Sequence, residues 1–144
     1  MYIYDKLFAE YHHVTAQILL TRDVVDDAAR KQNAQNTLCR LLDMGALPIV
    51  NENDCIATDE IQEECFGDND ILSAMTADIV DADLLIILSD VDGLYDSNPN
   101  ENEDAILLRT VETIDSDILS SAGCSTSGLG TGGMVTKIGA AKYA

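Results

Sequence analysis

The chain has few basic residues, and their scarcity excludes several classes of function. Only 8 of its 144 residues are Lys or Arg, whereas 26 are Asp or Glu, so the formal net charge is −18. A surface with this charge repels nucleic acid phosphates and anionic membranes. We therefore expect neither a nucleic acid nor a membrane as a partner. A nucleotide would bind only where a divalent cation and a few lysines offset this field locally.

Long apolar runs and spaced metal ligands are missing as well. Apolar runs such as residues 84–88 are far too short to cross a bilayer, and no secretory signal follows Met1. The four cysteines lack C-x-x-C spacing, which argues against a zinc site or a disulfide scaffold. His12 and His13 have no second ligand at suitable spacing, so we expect them on the surface. A cytoplasmic location with reduced thiols is the expectation.

Strand and helix patterns alternate along the chain, which favours one α/β domain. Strand patterns cover residues 14–20, 46–50, 84–88 and 105–111; helix patterns cover residues 1–12, 26–44, a segment beginning at 68–70, 114–119 and the chain from Met134 onward. Residues 84–88 are continuously apolar, as in a strand buried on both faces of a parallel sheet. Gly45 is placed to end the helix over 26–44.

A glycine-rich stretch near the end of the chain, followed by one lysine, is the strongest candidate for a phosphate site. It spans residues 128–137 and ends with Lys137. Glycines let backbone amides wrap around an anion, and a cation in the next helical turn completes such a site. The spacing does not match G-x-x-x-x-G-K-[ST]. A G-x-G-x-x-G match at Gly128, Gly130 and Gly133 lacks its acidic ribose partner and is weak alone, so a surface loop stays open.

Polar residues follow the predicted strands, where ligands bind in open α/β sheets. They form the segments 51–54, 67–70 and 89–93. Their carboxylates and carboxamides could bind an amino group, hold Mg²⁺ or orient a lysine. The spacing in segment 89–93 does not fit a calcium loop of the EF-hand type. For Asp70 two roles stay open, which are helix capping and participation in a binding site.

Four motifs in this order resemble those of the amino acid kinase family. They are Val50-Asn51-Glu52-Asn53-Asp54, Gly67-Asp68-Asn69-Asp70, Leu88-Ser89-Asp90-Val91-Asp92-Gly93-Leu94-Tyr95 and Gly130-Thr131-Gly132-Gly133-Met134-Val135-Thr136-Lys137. The first motif is similar to that of the members that phosphorylate glutamate, rather than acetylglutamate, aspartate, carbamate or UMP. The resemblance implies a three-layer αβα sandwich with a mostly parallel sheet over residues 1–144.

The resemblance also implies an activity, namely transfer of the ATP γ-phosphoryl group to the side-chain carboxylate of L-glutamate. The product would be L-glutamyl 5-phosphate, the first intermediate toward proline, with ATP and Mg²⁺ as cofactors. Lys137 and Asp70 would be catalytic, and Asp54 and Asn69 would bind glutamate. The nucleotide site would comprise Ser89, Asp90, Thr131, Gly132, Gly133, Met134, Val135, Thr136 and Lys137. No residue is assigned to a protein-bound metal. A homo-oligomer and feedback inhibition by proline are further implications.

The sequence departs from the family pattern at both ends. The family begins with a strand that carries Lys followed by Gly and Ser or Thr, and no such strand precedes Met1. The final strands of the family are also missing after Ala144. We therefore expect a partial kinase domain that lacks part of its phosphate site. Three alternatives stay open: a catalytically inactive module that binds glutamate or proline, another kinase of the same family, and a remnant that folds only with a partner that supplies the missing strands.

Overall fold

The described part of the chain alternates helices with two strands. A computed structural model describes residues 1–53, 69–99, 101–123 and 133–144. In these ranges the elements are α1 (Tyr2–Ala9), β1 (Val14–Leu20), α2 (Ala28–Asp43), β2 (Ala46–Glu52), α3 (Asn69–Val80), α4 (Ser116–Gly123) and α5 (Met134–Tyr143), with a 3₁₀ turn at Arg22–Val24. The predicted α/β class is confirmed, as are the two strands before residue 53 and the five helices.

The two strands form a parallel pair. Val14 lies opposite Ala46, and the register continues without a bulge to Leu20 opposite Glu52. Parallel neighbours need a long crossover connection, which α2 supplies. The Asn53 amide donates to the Leu20 carbonyl at 2.8 Å, so the two strands end side by side at the same edge of the sheet. This edge is where a ligand site is expected in an α/β fold.

The apolar core lies where α2 and α3 pack against one face of the sheet. Its buried members are Leu20, Leu38, Leu72, Met75 and Ile79. Leu72, Met75 and Ile79 recur at helical spacing, so α3 directs one continuous apolar stripe inward. Leu38 and Ile79 are each only 1% exposed, and they join α2 to α3 at the centre of this cluster. Burial of this stripe fixes the rotation of α3 about its own axis.

Helix α5 packs closely on α3. Ala140 in α5 and Ala74 in α3 are both fully buried, and Ile138 is buried beside them. Ala74 and Ala140 lie one helical turn beyond Asp70 and Thr136, which contact each other. Small side chains at these positions let the two helices approach closely. As a result, the first turns of α3 and α5 lie side by side.

The prediction of a buried strand over residues 84–88 is wrong for the described structure. No strand is assigned there among the described residues. Leu84, Ile86 and Leu88 are exposed, whereas Leu85 and Ile87 are half-buried, so the side chains alternate between two faces. A strand is defined by hydrogen bonds to a neighbour, and no described segment pairs with this one. The apolar run therefore specifies an extended backbone but not its partner.

The predicted strand over residues 105–111 is also wrong. This segment forms one antiparallel bridge, between Leu107 and Tyr95. The Leu108 amide donates to the Leu94 carbonyl at 2.8 Å, and the Asp96 amide donates to the Ile106 carbonyl at 3.1 Å. These bonds close a local loop after the 84–88 segment. The Ile106 amide donates to Asp96 Oδ1 at 2.9 Å, and the ladder consists of this single bridge among the described residues.

Gly45 ends α2 as predicted, with φ of +74° in the left-handed region. An added Cβ would meet no atom within 4 Å, so any penalty there comes from the backbone. We expect Gly45→Ala to lower the free energy of unfolding by about 1 kcal/mol. Gly45→Asn should cost less, because Asn tolerates this conformation better. Urea unfolding followed by circular dichroism measures both, and equal costs for Ala and Asn would contradict this account.

An ion pair joins α2 to α3 at the surface. Lys31 Nζ lies 2.6 Å from Asp78 Oδ2, and the two side chains are 38% and 42% exposed. The hydrogen bond to Asp78 raises the pKa of Lys31 above its ordinary value of 10.5. Because this pKa is raised in the folded state, the contribution to stability is present below the unfolded pKa and is lost as pH rises through the folded one.

We therefore expect the stability difference between the wild type and Lys31→Met to be small near neutral pH and to disappear as the pH rises above 10.5 and through the raised pKa of the folded state. The pair is exposed, so added salt should also reduce the difference. Urea midpoints across this pH range provide the measurement, with Lys6→Met in α1 as a control. A difference that stays constant with pH would show that Lys31 acts through packing rather than charge.

Candidate functional site

The paired helix starts bring together two of the residues predicted to be catalytic. Asp70 lies in the first turn of α3 and Lys137 in the first turn of α5. Lys137 Nζ donates to Asp70 Oδ2 at 2.9 Å. Sixty-seven positions separate these residues in the sequence, so their contact depends on the packing of α5 on α3. Asp70 therefore has a role beyond the start of its own helix.

The Asp70–Lys137 pair is largely withdrawn from solvent. The Asp70 side chain is 12% exposed and that of Lys137 is 22% exposed. An ion pair at this depth is screened less by water and salt than the exposed Lys31–Asp78 pair. Neither charged group can lose its partner without a replacement, because an unpaired charge at this depth is costly. The ammonium is thus held in place but remains accessible from one side.

Thr136 contacts the same carboxylate. Its hydroxyl oxygen lies 2.9 Å from Asp70 Oδ2 and 2.7 Å from the carbonyl oxygen of Gly133. A threonine hydroxyl carries one proton and can therefore donate to only one of these acceptors at a time. The sequence predicts Thr136 only as part of a nucleotide site, and its contact with Asp70 appears only in the tertiary structure.

The start of α5 has features that suit an anion. Its N-cap residue, Gly133, is extended and provides no side-chain hydrogen bond to the helix amides. The first amides of a helix carry partial positive charge and bind phosphate oxygens readily. Lys137 adds a full positive charge at the end of this first turn. Met134 and Val135 occupy the same first turn, with Val135 exposed and Met134 half-buried.

A cleft of about 540 Å³ opens beside α3, between α1 and the sheet. Its polar lining comes from Gln17, Asn51, Asn69, Ser73 and Thr76. The sequence predicts two of them, Asn51 by its place after a strand and Asn69 by its motif. Ser73 and Thr76 were missed, although they follow Asn69 at helical spacing and so share its side of α3. Gln17 gives no sequence signal because it lies in the middle of β1.

Ser89 and Asp90 lie apart from this cluster in the described structure. They occupy an exposed turn in which Ser89 Oγ contacts Asp90 Oδ1 at 3.3 Å. No contact of either side chain with Asp70, Thr136 or Lys137 is present among the described residues. Their assignment to a nucleotide site stays a prediction. The predicted site residues Asp54, Thr131 and Gly132 lie outside the described residues.

The described residues also bear on metal binding and on membrane insertion. Within the described ranges, no group of three or more His, Cys, Asp or Glu side chains is arranged to hold a metal ion. In those same ranges, no helix has both the length and the apolar character needed to cross a membrane. Cys39 is a free thiol. The other three cysteines lie outside the described residues.

We expect the ion pair to be measurable by a double-mutant cycle. Asp70→Ala, Lys137→Ala and the double variant should show a coupling of about 1–2 kcal/mol in unfolding free energy, because the pair is largely buried. The cycle cancels the separate effect of each side chain on its own helix. The same cycle on Lys31 and Asp78 should give a smaller coupling because that pair is exposed. Equal couplings would contradict the inferred difference in screening.

Comparison with known proteins bears on the identity of the chain. The sequence model of the amino acid kinase family matches residues 1–144. The chain is 56% identical to the glutamate 5-kinase of Clostridium perfringens, over 100% of the chain and 54% of the relative. It is 54% identical to that of Clostridium acetobutylicum, over 100% and 53%, and 50% identical to that of Listeria innocua, over 99% and 52%. The chain thus spans about half the length of the curated relatives it matches.

These matches agree with the parallel α/β architecture and with the order of the four motifs along the chain. The family match extends over the described helices and strands and over the residues between them. On this evidence the chain belongs to the amino acid kinase family.

Proposed function

We propose that this chain supplies part of the site of an ATP-dependent kinase that phosphorylates the side-chain carboxylate of L-glutamate. The product is L-glutamyl 5-phosphate, which leads toward proline. The Asp70–Lys137 pair at the adjoining starts of α3 and α5 carries the proposal. The similarity to glutamate 5-kinases supports glutamate as the acceptor. Residues 1–144 then form a partial kinase domain.

Lys137 is the residue that meets the migrating phosphoryl group. Phosphoryl transfer requires positioning and charge stabilisation more than covalent participation by the protein. An ammonium that is fixed at 2.9 Å from a carboxylate is already oriented before the nucleotide arrives. The amides at the start of α5 and the nearby segment 131–133 bind the phosphates. Ser89 and Asp90 contribute to the same nucleotide site.

The acceptor lies on the other side of the start of α3. Asn69 is in the cleft and Asp70 follows it in the chain, so one helical turn serves both substrates. Asn69 and Asp54 bind glutamate, and the Asp54 carboxylate receives its ammonium group. A side-chain carboxylate is already ionised at neutral pH, and the reaction therefore needs no general base. This chemistry agrees with a site that is built without histidine.

Mg²⁺ accompanies the nucleotide in this proposal. Magnesium in kinases is held by substrate phosphates, water and one or two carboxylates, rather than by a cage of protein ligands. Asp70 fits that donor set, because it is a single carboxylate beside the ammonium at the start of α5. The bound ion would offset the phosphate charge in a chain whose formal net charge is −18.

Further parts of the proposal concern regulation and assembly. Proline competes for the amino acid part of the site, and the protein assembles as a homo-oligomer. The cytoplasm, where ATP and glutamate are abundant and thiols stay reduced, is the proposed location. These three statements stay predictions.

Isothermal calorimetry tests the nucleotide part of the proposal. We expect Mg-ATP to bind the chain and Lys137→Met to weaken that binding by about tenfold or more, since a charge-assisted contact is lost. Lys142→Met removes an exposed charge at the other end of α5 and should leave the affinity nearly unchanged. Equal affinities for the wild type and Lys137→Met would contradict the assignment of Lys137.

Titration with glutamate and with proline completes the experiment. Binding of glutamate that depends on Asn69, measured with Asn69→Ala, supports the acceptor site in the cleft. Binding of either amino acid without any binding of Mg-ATP would instead favour an inactive amino-acid-binding module. A glutamate affinity that is unaffected by Asn69→Ala would place the acceptor elsewhere.

A further inference from the structure

We propose that Thr136 is a positioning residue that allows Lys137 to leave Asp70 for an anionic ligand. This inference rests on the proposed function, in which Lys137 contacts a phosphoryl group. Lys137 Nζ and Thr136 Oγ1 both lie 2.9 Å from Asp70 Oδ2. Two neighbouring residues of α5 thus lie within hydrogen-bonding distance of the same carboxylate oxygen. Lys137 offers a charged donor, its ammonium, and Thr136 a neutral one, its hydroxyl.

The burial of Asp70 explains why a second donor matters. Its side chain is only 12% exposed. If the ammonium of Lys137 turns toward a ligand, the carboxylate loses a charged partner in a place where water has little access. Such a loss is costly unless another donor strengthens its hydrogen bond. The Thr136 hydroxyl is already within reach, so no backbone movement is required.

The Thr136 hydroxyl has a second acceptor to which it can donate while Lys137 is bound to Asp70. Its hydroxyl oxygen also lies 2.7 Å from the Gly133 carbonyl oxygen, within the first turn of α5. Since the hydroxyl has one proton, it donates to Gly133 or to Asp70. Donation to Gly133 is sufficient while Lys137 holds Asp70. Donation to Asp70 becomes more favourable once Lys137 has left, and the exchange requires only rotation of the hydroxyl hydrogen.

The test measures how readily the Lys137 amine reacts in the protein without nucleotide. Brief labelling with an amine-reactive ester, followed by peptide mass spectrometry, gives a rate for Lys137 and for Lys142 in the same helix. Loss of the threonine hydroxyl should leave Lys137 bound to Asp70 for more of the time. We expect Thr136→Val to slow labelling of Lys137 by at least about threefold, and Lys142 to keep its wild-type rate.

Matched variants separate positioning from folding. Thr136→Ser retains the hydroxyl and should label within about twofold of the wild type. Thr37→Val removes a comparable helix hydroxyl in α2, one that donates to the Asn33 carbonyl at 2.8 Å, and should have no effect. In an Asp70→Asn background the effect of Thr136→Val should vanish, because the charged acceptor is gone. Thr136→Ala replaces Thr136→Val if circular dichroism shows that the latter is unfolded.

The outcomes distinguish this inference from the proposed function. A change smaller than threefold, or faster labelling of Lys137 in the hydroxyl-free variant, overturns the role of Thr136. Faster labelling of both lysines would show a loosened helix and would overturn it as well. Protection of wild-type Lys137 by inorganic triphosphate with Mg²⁺ separately tests phosphate binding. If protection fails while the threefold slowing is seen, the proposed function is contradicted and the role of Thr136 stands.

Discussion

The close contact between α3 and α5 is the constraint on which the rest of the site depends. Helix α3 makes contacts on two sides, because one stripe of residues lies in the core and another packs on α5. Leu72, Met75 and Ile79 lie in the core, and Asp70 contacts Thr136 and Lys137 of α5. Once the core fixes the rotation of α3, the direction in which Asp70 points is also fixed. A charged pair at the helix start is therefore positioned by apolar residues further along the same helix.

At the start of α5, the nearby charges differ in sign from the net charge of the whole chain. The chain has a strongly negative net charge, which opposes the approach of any phosphate. The start of α5 nevertheless combines the partial positive charge of a helix N-terminus with an ammonium that is largely withdrawn from water. Charges at short range in a partly buried site outweigh screened charges on a distant surface. In the proposed reaction, Asp70 holds the ammonium of Lys137 until the phosphate of the nucleotide competes for it.

The geometry also separates two functions along α3. The first turn supplies Asn69 toward the cleft and Asp70 toward α5, so adjacent residues face different ligands in the proposed reaction. Successive residues of a helix point about 100° apart, which makes this division possible within a single turn. The parallel strands contribute by ending at the same edge, near the residues that follow β2. In the proposed reaction, α3, α5 and this sheet edge each supply part of the site for the two substrates.

The sequence by itself determined the local elements and the types of residue at the site. Helical periodicity located α2 and α3, and strand patterns located β1 and β2, because these signals depend only on neighbours in the chain. The four motifs identified Asp70, Asn69 and Lys137 as candidates. The strands predicted over residues 84–88 and 105–111 were wrong, because a strand needs a hydrogen-bonding neighbour that local sequence does not specify.

Only the tertiary structure decided which of these candidates meet. The Asp70–Lys137 pair and the contact of Thr136 with Asp70 join residues more than sixty positions apart, and both depend on small buried side chains between α3 and α5. The cleft residues Gln17, Ser73 and Thr76 likewise come together through packing of α3 beside the sheet. Sequence patterns report which faces are apolar, whereas close packing determines which polar groups then lie within hydrogen-bonding distance.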